Sequence, residues 1–317
     1  MRYKSFKQII SQFQSIITKL YLLIKYYKIK NVTLIQNKKI IIYMADGRII
    51  HGGLSDRLWG MISLYDYCLE NNIMFKIYFE HPFKLEKYLL PNEYNWKLNN
   101  NLIYDYRFSM PIIIKNNYNK LLKEKILKQC NESNKTQFHI YTNMRYRREY
   151  FSQFFHILFK PSFFLNEKVS EHLKKINGEY ISITFRFQQL LGDFVERKFP
   201  VLPRKKQEKF IDKCLSVIHT IKEKHSEYSK ILITSDSEKF LNRAKELSNV
   251  YIVPGKRLHP DYDIENLEDE YLKSFIDMFL IANAKKIYFI KSAITYKSQF
   301  AKTAANIYNI QYEEIII

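Results

Sequence analysis

The sequence predicts an α/β protein built as two Rossmann-like halves, each a parallel sheet with helical crossovers. Three observations predict it. An apolar strand at residues 39–45 (KIIIYMA) leads into a glycine-bearing loop, a helix, and a second strand at 75–79 (FKIYF). A second strand–helix series runs from about residue 178 to the C-terminus, and strict alternation of that kind implies parallel pairing with right-handed crossovers. The chain has 317 residues, 46% hydrophobic and 16% aromatic, enough for two cores and too apolar for disorder.

Taken in order, Phe6, Ile9, Ile10, Phe13, Ile16, Ile17, Leu20 and Ile24 recur at three- to four-residue spacing and predict an amphipathic helix near the N-terminus. Lys and Gln interrupt it, so no run of about 18 uncharged apolar residues exists to span a bilayer. Lys19, Lys25, Lys28 and Lys30 leave two readings open: a peripheral anchor on an anionic membrane, or a helix packed on its domain. After the first strand, the loop ADGRIIHGGLSDR precedes a helix at 58–72. Residues 80–160 carry no periodicity that assigns them. In the second series the strands are 180–187, 231–235, 250–253 and 286–290. The helices are 206–224, 237–247, 268–284 and 298–308. Pro161 interrupts the pattern, so the expected divisions are a basic helix at 1–35, a first domain at 36–165 and a second at 166–317.

The formal charge of +19 fits a nucleic acid, an anionic membrane surface, an anionic small substrate, or simply a basic solvated surface. No zinc-finger spacing, RNA-binding aromatic signature or tight arginine block is present, which argues against nucleic acid. Cys68, Cys130 and Cys214 are few, odd in number and far apart. They read as buried apolar residues in a reducing compartment, with no disulfide framework or zinc site. The remaining histidines have no metal-ligand spacing, and neither a nucleophile elbow nor a P-loop occurs.

Ligands of doubly wound sheets bind beyond the carboxyl ends of strands, which selects four loops. In the first, Gly52 and Gly53 permit close backbone approach at a helix N-terminus, with His51, Asp56 and Arg57 beside them; the alternative is a tight turn with a charged rim. In the second, Arg186 could grip phosphate oxygens with a two-pronged fork, or pair on the surface with Asp193 or Glu196. In the third, Ser235, Asp236 and Ser237 either cap the next helix or bind a ribose or base through Asp236. In the fourth, Ser298, Gln299 and Phe300 stand where a helix should start, for a diphosphate or as a cap. Asp261-Tyr262-Asp263 has the spacing of a divalent-metal site, but no strand precedes it.

The segment GGLSDRL, then a helix, then FKIYF, resembles the N-terminal glycine loop of the GDP-fucose-dependent fucosyltransferases. Asp277 on a helix, a strand, and then Ser298-Gln299-Phe300 are similar to their C-terminal motif, and Arg186 falls where they place the arginine of the donor diphosphate. Thr184 stands where the family has histidine, and Gly192-Asp193 comes several residues later than its Gly-Asp. The resemblance covers about residues 39–79 and 178–310. It implies a GT-B-like fold, two Rossmann-like domains facing across a cleft, acting without metal or cofactor on a nucleotide-sugar co-substrate. By that likeness Gly52, Gly53, Arg186, Ser235, Asp236, Ser237, Ser298, Gln299 and Phe300 would bind the donor. Arg186 would stabilise the leaving diphosphate, and His51 or Asp56 would take the proton of a glycan acceptor.

The expected activity is therefore inverting transfer of fucose or a close relative from GDP to a surface polysaccharide or lipopolysaccharide-type glycan. The expected location is the cytoplasm, with peripheral attachment to the inner face of the membrane. The alternatives are another sugar nucleotide as donor, or a non-catalytic basic module binding glycan or membrane.

Overall fold

The computed structural model describes residues 2–30, 38–98, 102–193, 200–255, 270–295 and 297–317. The chain is mixed α/β with two wholly parallel main sheets. It divides into two compact units between Lys160 and Pro161.

The first unit runs α1 (Arg2–Tyr26), β1 (Ile40–Ala45), α2 (Leu54–Glu70), β2 (Met74–Phe79), β3 (Leu89–Pro91), β4 (Ser109–Ile114), α3 (Lys120–Glu132), β5 (Gln137–Thr142), α4 (Phe151–Leu158) and β6 (Phe159–Pro161). Its sheet has the order β2-β1-β5-β4. Strands β1 and β5 are buried along their whole length, as a parallel strand covered on both faces must be. Gly60 lets α2 lie on this sheet: a Cβ there would come within 2.4 Å of the Thr142 carbonyl oxygen.

Residues 80–160, unassigned from sequence, hold β3, β4, β5 and the start of β6, with helices α3 and α4. Their signals are weak for physical reasons. Strand β4 contains Pro111, tolerated because β4 is an edge strand. Helix α3 buries only Lys123, Leu127 and Cys130, and β3 is three residues long.

The second unit runs α5 (Phe163–Ile176), β7 (Tyr180–Phe185), α6 (Arg204–Lys224), β8 (Lys230–Thr234), α7 (Glu238–Ala244), β9 (Val250–Tyr251), α8 (Glu270–Ala282), β10 (Lys286–Lys291), α9 (Phe300–Tyr308) and β11 (Tyr312–Ile316). Its sheet has the order β11-β10-β7-β8-β9. Ile181, Ile183 and Phe185 of β7 share a core with Ile211, Cys214 and Ile218 of α6. Strand β11 escaped the sequence reading because Glu313 and Glu314 charge it, as suits an edge strand. All three cysteines are buried and free.

Helix α1 packs against β4, but not by its apolar face. Ser11, Ser15 and Leu22 are buried, whereas Phe6, Phe13, Ile17 and Ile24 are exposed.

Candidate active site

In the second unit the chain runs outward from β7 to β9, then returns to the other side of β7 as β10 and β11. The junction of β7 and β10 is thus the point where strand order reverses, and its carboxyl end is where such sheets bind ligands. Arg186 is the residue immediately after β7.

Arg186 is not paired with Asp193, as one sequence reading had it, and Glu196 lies outside the described residues. Its Nη1 is 2.9 Å from Oδ2 of Asp236, and the side chains are 13% and 0% exposed. The same carboxylate accepts the main-chain N–H of Phe187 at 2.8 Å and of Gln188 at 2.7 Å. Gln188 holds a positive φ of 53°, a conformation that persists where neighbours over-determine it. The loop after β8 therefore clamps the loop after β7. Asp236, read from sequence either as a helix cap or as an acceptor for a ribose or base, holds the main chain of Phe187 and Gln188 and the Arg186 side chain. Thr184 and Thr234 join the two strands below by a hydroxyl–hydroxyl bond of 2.8 Å.

Ser235 and Ser237 are also engaged internally. Ser235 Oγ accepts from the Ser237 N–H at 3.1 Å. Ser237 caps α7: its Oγ accepts from the Phe240 N–H and donates to Asp193 Oδ2 at 2.8 Å. Asp193 Oδ2 also accepts from the Lys239 N–H at 2.7 Å. Its buried Oδ1 has no hydrogen-bond partner among the described residues.

Beyond β10, helix α9 begins at Phe300, two residues later than expected. Gln299 is the N-cap and supplies no side-chain cap. Ser298 Oγ accepts from the Phe300 N–H at 3.2 Å. Ser298, Gln299 and Phe300 are half-buried. Asp277 of α8 is fully buried against Lys273 Nζ at 3.1 Å.

In the first unit the strand order reverses between β1 and β5, and the loops beyond both strands meet. Gly52 has φ +91°, and a Cβ on it would sit 2.8 Å from Asp56 Oδ2. Gly53 is the N-cap of α2, and the space where its Cβ would point is open. Arg57 is no rim residue: it is buried, donating to the carbonyls of Gly52 at 3.0 Å and His81 at 3.2 Å.

His51 is 4% exposed, between the rings of Tyr43 and Tyr141. It is hydrogen-bonded to the Thr142 backbone, and its Nε2 has no partner among the described residues. Burial, reinforced by the Arg57 charge, pushes its pKa well below the usual value and keeps the ring neutral. Asp56 keeps a 35% exposed carboxylate, 3.2 Å from Arg145 Nη2.

Arg145 and Arg147, both after β5, were missed. The run QFHIYT ahead of TNMRYRR was the available signal. Arg147 straps that loop to α2 through Asp66 and Glu70. The Asp261-Tyr262-Asp263 motif lies outside the described residues.

No protein-family model and no curated protein sequence matches the chain. Solved structures do. One is NodZ α-1,6-fucosyltransferase, soaked with GDP-fucose: 14% identity over 85% of this chain and 92% of that one, TM-score 0.54. NodZ from Bradyrhizobium, in its selenomethionine form, gives 14% identity over the same shares, with a TM-score of 0.53. An Arabidopsis thaliana FUT1 variant in complex with GDP gives 12% identity over 95% of this chain and 74% of that one, TM-score 0.56. The chain thus has the fold of NodZ and FUT1.

Proposed function

We propose that the protein is an inverting glycosyltransferase that moves fucose or a close relative from a GDP donor to a hydroxyl of a surface glycan. The observation that carries the reading is Arg186: a guanidinium at the carboxyl end of the central strand, on the topological switch point, anchored by a buried carboxylate. The fold is that of NodZ, soaked with GDP-fucose, and of FUT1, in complex with GDP.

The second unit holds the donor and the first the acceptor. The diphosphate lies on Arg186 and on the N-terminus of α9, where Ser298 and Gln299 begin the helix and its N–H groups and dipole favour an anion. As the acceptor oxygen bonds to the anomeric carbon, the bond from that carbon to the diphosphate breaks and GDP departs with the electrons. Arg186 stabilises the charge that grows there.

The acceptor proton passes to a base. Asp56 is the accessible candidate; His51 is sunk between two rings and positions the glycine loop. Gly52 and Gly53 give the backbone close approach to a ligand. Asp236, Ser235 and Ser237 act as positioning residues behind Arg186. The carboxylates needed for metal are not part of this scheme, and the donor's charge is met by Arg186 and helix α9.

Thermal-shift measurements with GDP, UDP, CMP and ADP test the nucleotide site, and incubation with GDP-fucose and a glycan acceptor tests transfer. A ligand at about 100 times its Kd adds about 2.7 kcal/mol of stability. Stabilisation by GDP above the other three is expected. A midpoint that none of the four moves would overturn the reading in favour of a non-catalytic module, and preference for another nucleotide would overturn the donor.

A further inference from the structure

Helix α1 presents inward the face that sequence patterning would have placed outward. Ser15 Oγ lies 2.6 Å from the Tyr118 hydroxyl, and Ser11 Oγ donates to Asn117 Oδ1 at 3.1 Å. Leu22, on the same face, is 0% exposed. These contacts fix the rotation of the helix. The opposite face carries Phe6, Phe13 and Ile17 out to Ile24, with Phe13 65% and Ile24 77% exposed. From residue 6 to residue 24 this strip is about 27 Å long at the α-helical rise.

Continuous exposed apolar strips of this kind mark an interaction surface. The charge around it selects the partner. No Asp or Glu precedes Asp46, while the same stretch holds nine Lys and Arg. Lys19 and Lys25 lie on opposite flanks of the strip at 100° per residue. A second copy of the chain would bring the same positive charge against itself; an anionic surface neutralises it. A cavity of about 470 Å³ adjoins the C-terminal part of the helix, with Leu23, Ile24 and Met110 among its walls and Lys19 and Lys135 beside them. Apolar walls with two amino groups suit one anionic lipid at the edge of the strip. Among the described residues no helix is long and apolar enough to cross a membrane, so a helix of this pattern lies along the surface.

We propose that α1 seats the protein on an anionic bilayer, its outward apolar strip immersed at the headgroup boundary and its flanking lysines on lipid phosphates. Binding should weaken with salt, since the charges act through screened contacts.

The test is co-sedimentation of the full chain with phosphatidylcholine vesicles and with vesicles containing about 30% phosphatidylglycerol. The expected result is capture by the anionic vesicles alone. A triple variant, Phe13→Ser with Ile17→Ser and Ile24→Ser, should bind roughly tenfold more weakly or worse. Its melting midpoint and its response to GDP should be unchanged, because those side chains are exposed. The proposal is overturned if the wild type stays in solution or binds both vesicle types equally, or if the triple variant binds as well as the wild type. It is also overturned if the strip mediates a dimer that the triple variant abolishes and vesicles are ignored. No donor or acceptor enters this assay, so its failure is separate from failure of the glycosyltransferase reading.

Discussion

Arg186 and Asp236 form one unit: the guanidinium of the first is 2.9 Å from the fully buried carboxylate of the second, which also fastens the main chain of Phe187 and Gln188. A fork fixed in this way needs no reorganisation when charge develops on a departing diphosphate. Arg186→Lys keeps the charge but loses the planar fork. It should fold, bind nucleotide somewhat less well, and transfer sugar at least about a hundredfold more slowly, the scale of losing one preorganised contact. Asp236→Asn should also slow transfer although it touches no substrate, and the double variant should be little worse than Arg186→Lys alone. Steady-state kinetics on the wild type, these three variants and Arg186→Ala checks this. Near-normal turnover in folded Arg186→Ala would remove Arg186 from the mechanism, and additive losses would separate the two residues.

Two buried histidines of the first unit set a pH dependence of stability. Burial lowers the His139 pKa to about 3, and the Arg48 charge adds to it; His51 is likewise lowered by burial. Both titrate near 6.5 when unfolded. Below that pH the unfolded chain binds protons that the folded chain refuses, so their stability contribution is complete above about pH 6.5 and is lost as the pH falls. Each can contribute a slope of up to about 1.4 kcal/mol per pH unit in that window. His139 is bonded to the Tyr27 hydroxyl at 2.6 Å and to Gln137 at 3.3 Å, so His139→Gln should lower stability at pH 7.5 and flatten its acid slope. Urea midpoints at neutral and acid pH decide it: a wild type equally stable at both would show that these rings protonate in place.

What the sequence reveals follows from how each signal is built. Strands β1 and β7 are continuous apolar runs because both faces are covered, and the loops after them were found for that reason. The pairing of Arg186 with Asp236 was not found. Asp236 is local to a Ser-Asp-Ser stretch that reads equally as a helix cap, and only the adjacency of β7 and β8 brings its carboxylate to a residue 50 positions earlier. Arg145 was lost with β5, whose neighbour β4 carries a proline. The spacing of α1 gave its apolar strip correctly but not its rotation, since Ser11 and Ser15 bind Asn117 and Tyr118, respectively, through hydroxyls that hydropathy does not weigh.

The proposed charge scheme predicts transfer without a divalent metal. If Arg186 and the α9 N-terminus meet the donor's negative charge, transfer should proceed at an unchanged rate in excess EDTA. The measurement is initial rate with and without chelator. Abolition by EDTA with rescue by manganese would instead give the leaving group to a divalent ion, with Asp261 and Asp263 as its first candidates, by their hard oxygen ligands.

The glycines in and before α2 separate folding from function by position. Gly60 lies on the buried face of α2, with the Thr142 carbonyl oxygen 2.4 Å from where a Cβ would be. The main chain there cannot yield as a flexible side chain would, so Gly60→Ala should destabilise by about 1–3 kcal/mol, the usual cost of overpacking. Gly52→Ala meets strain of a different origin: its φ of +91° suits glycine, and Asp56 Oδ2 stands 2.8 Å from the added carbon. A loss of about 1–3 kcal/mol is expected there as well. Gly53 has neither constraint. Its φ is −70° and the added carbon would meet nothing within 4 Å. Gly53→Ala should therefore melt within about 0.5 kcal/mol of the wild type, as surface substitutions do. The open space beside Gly53 is where a ligand would approach the start of α2, so transfer by Gly53→Ala should fall while its fold is intact. Thermal denaturation and transfer rate measured on the three variants give the answer. Full activity in Gly53→Ala would show that no ligand comes close to that backbone, and would leave the loop as a structural turn.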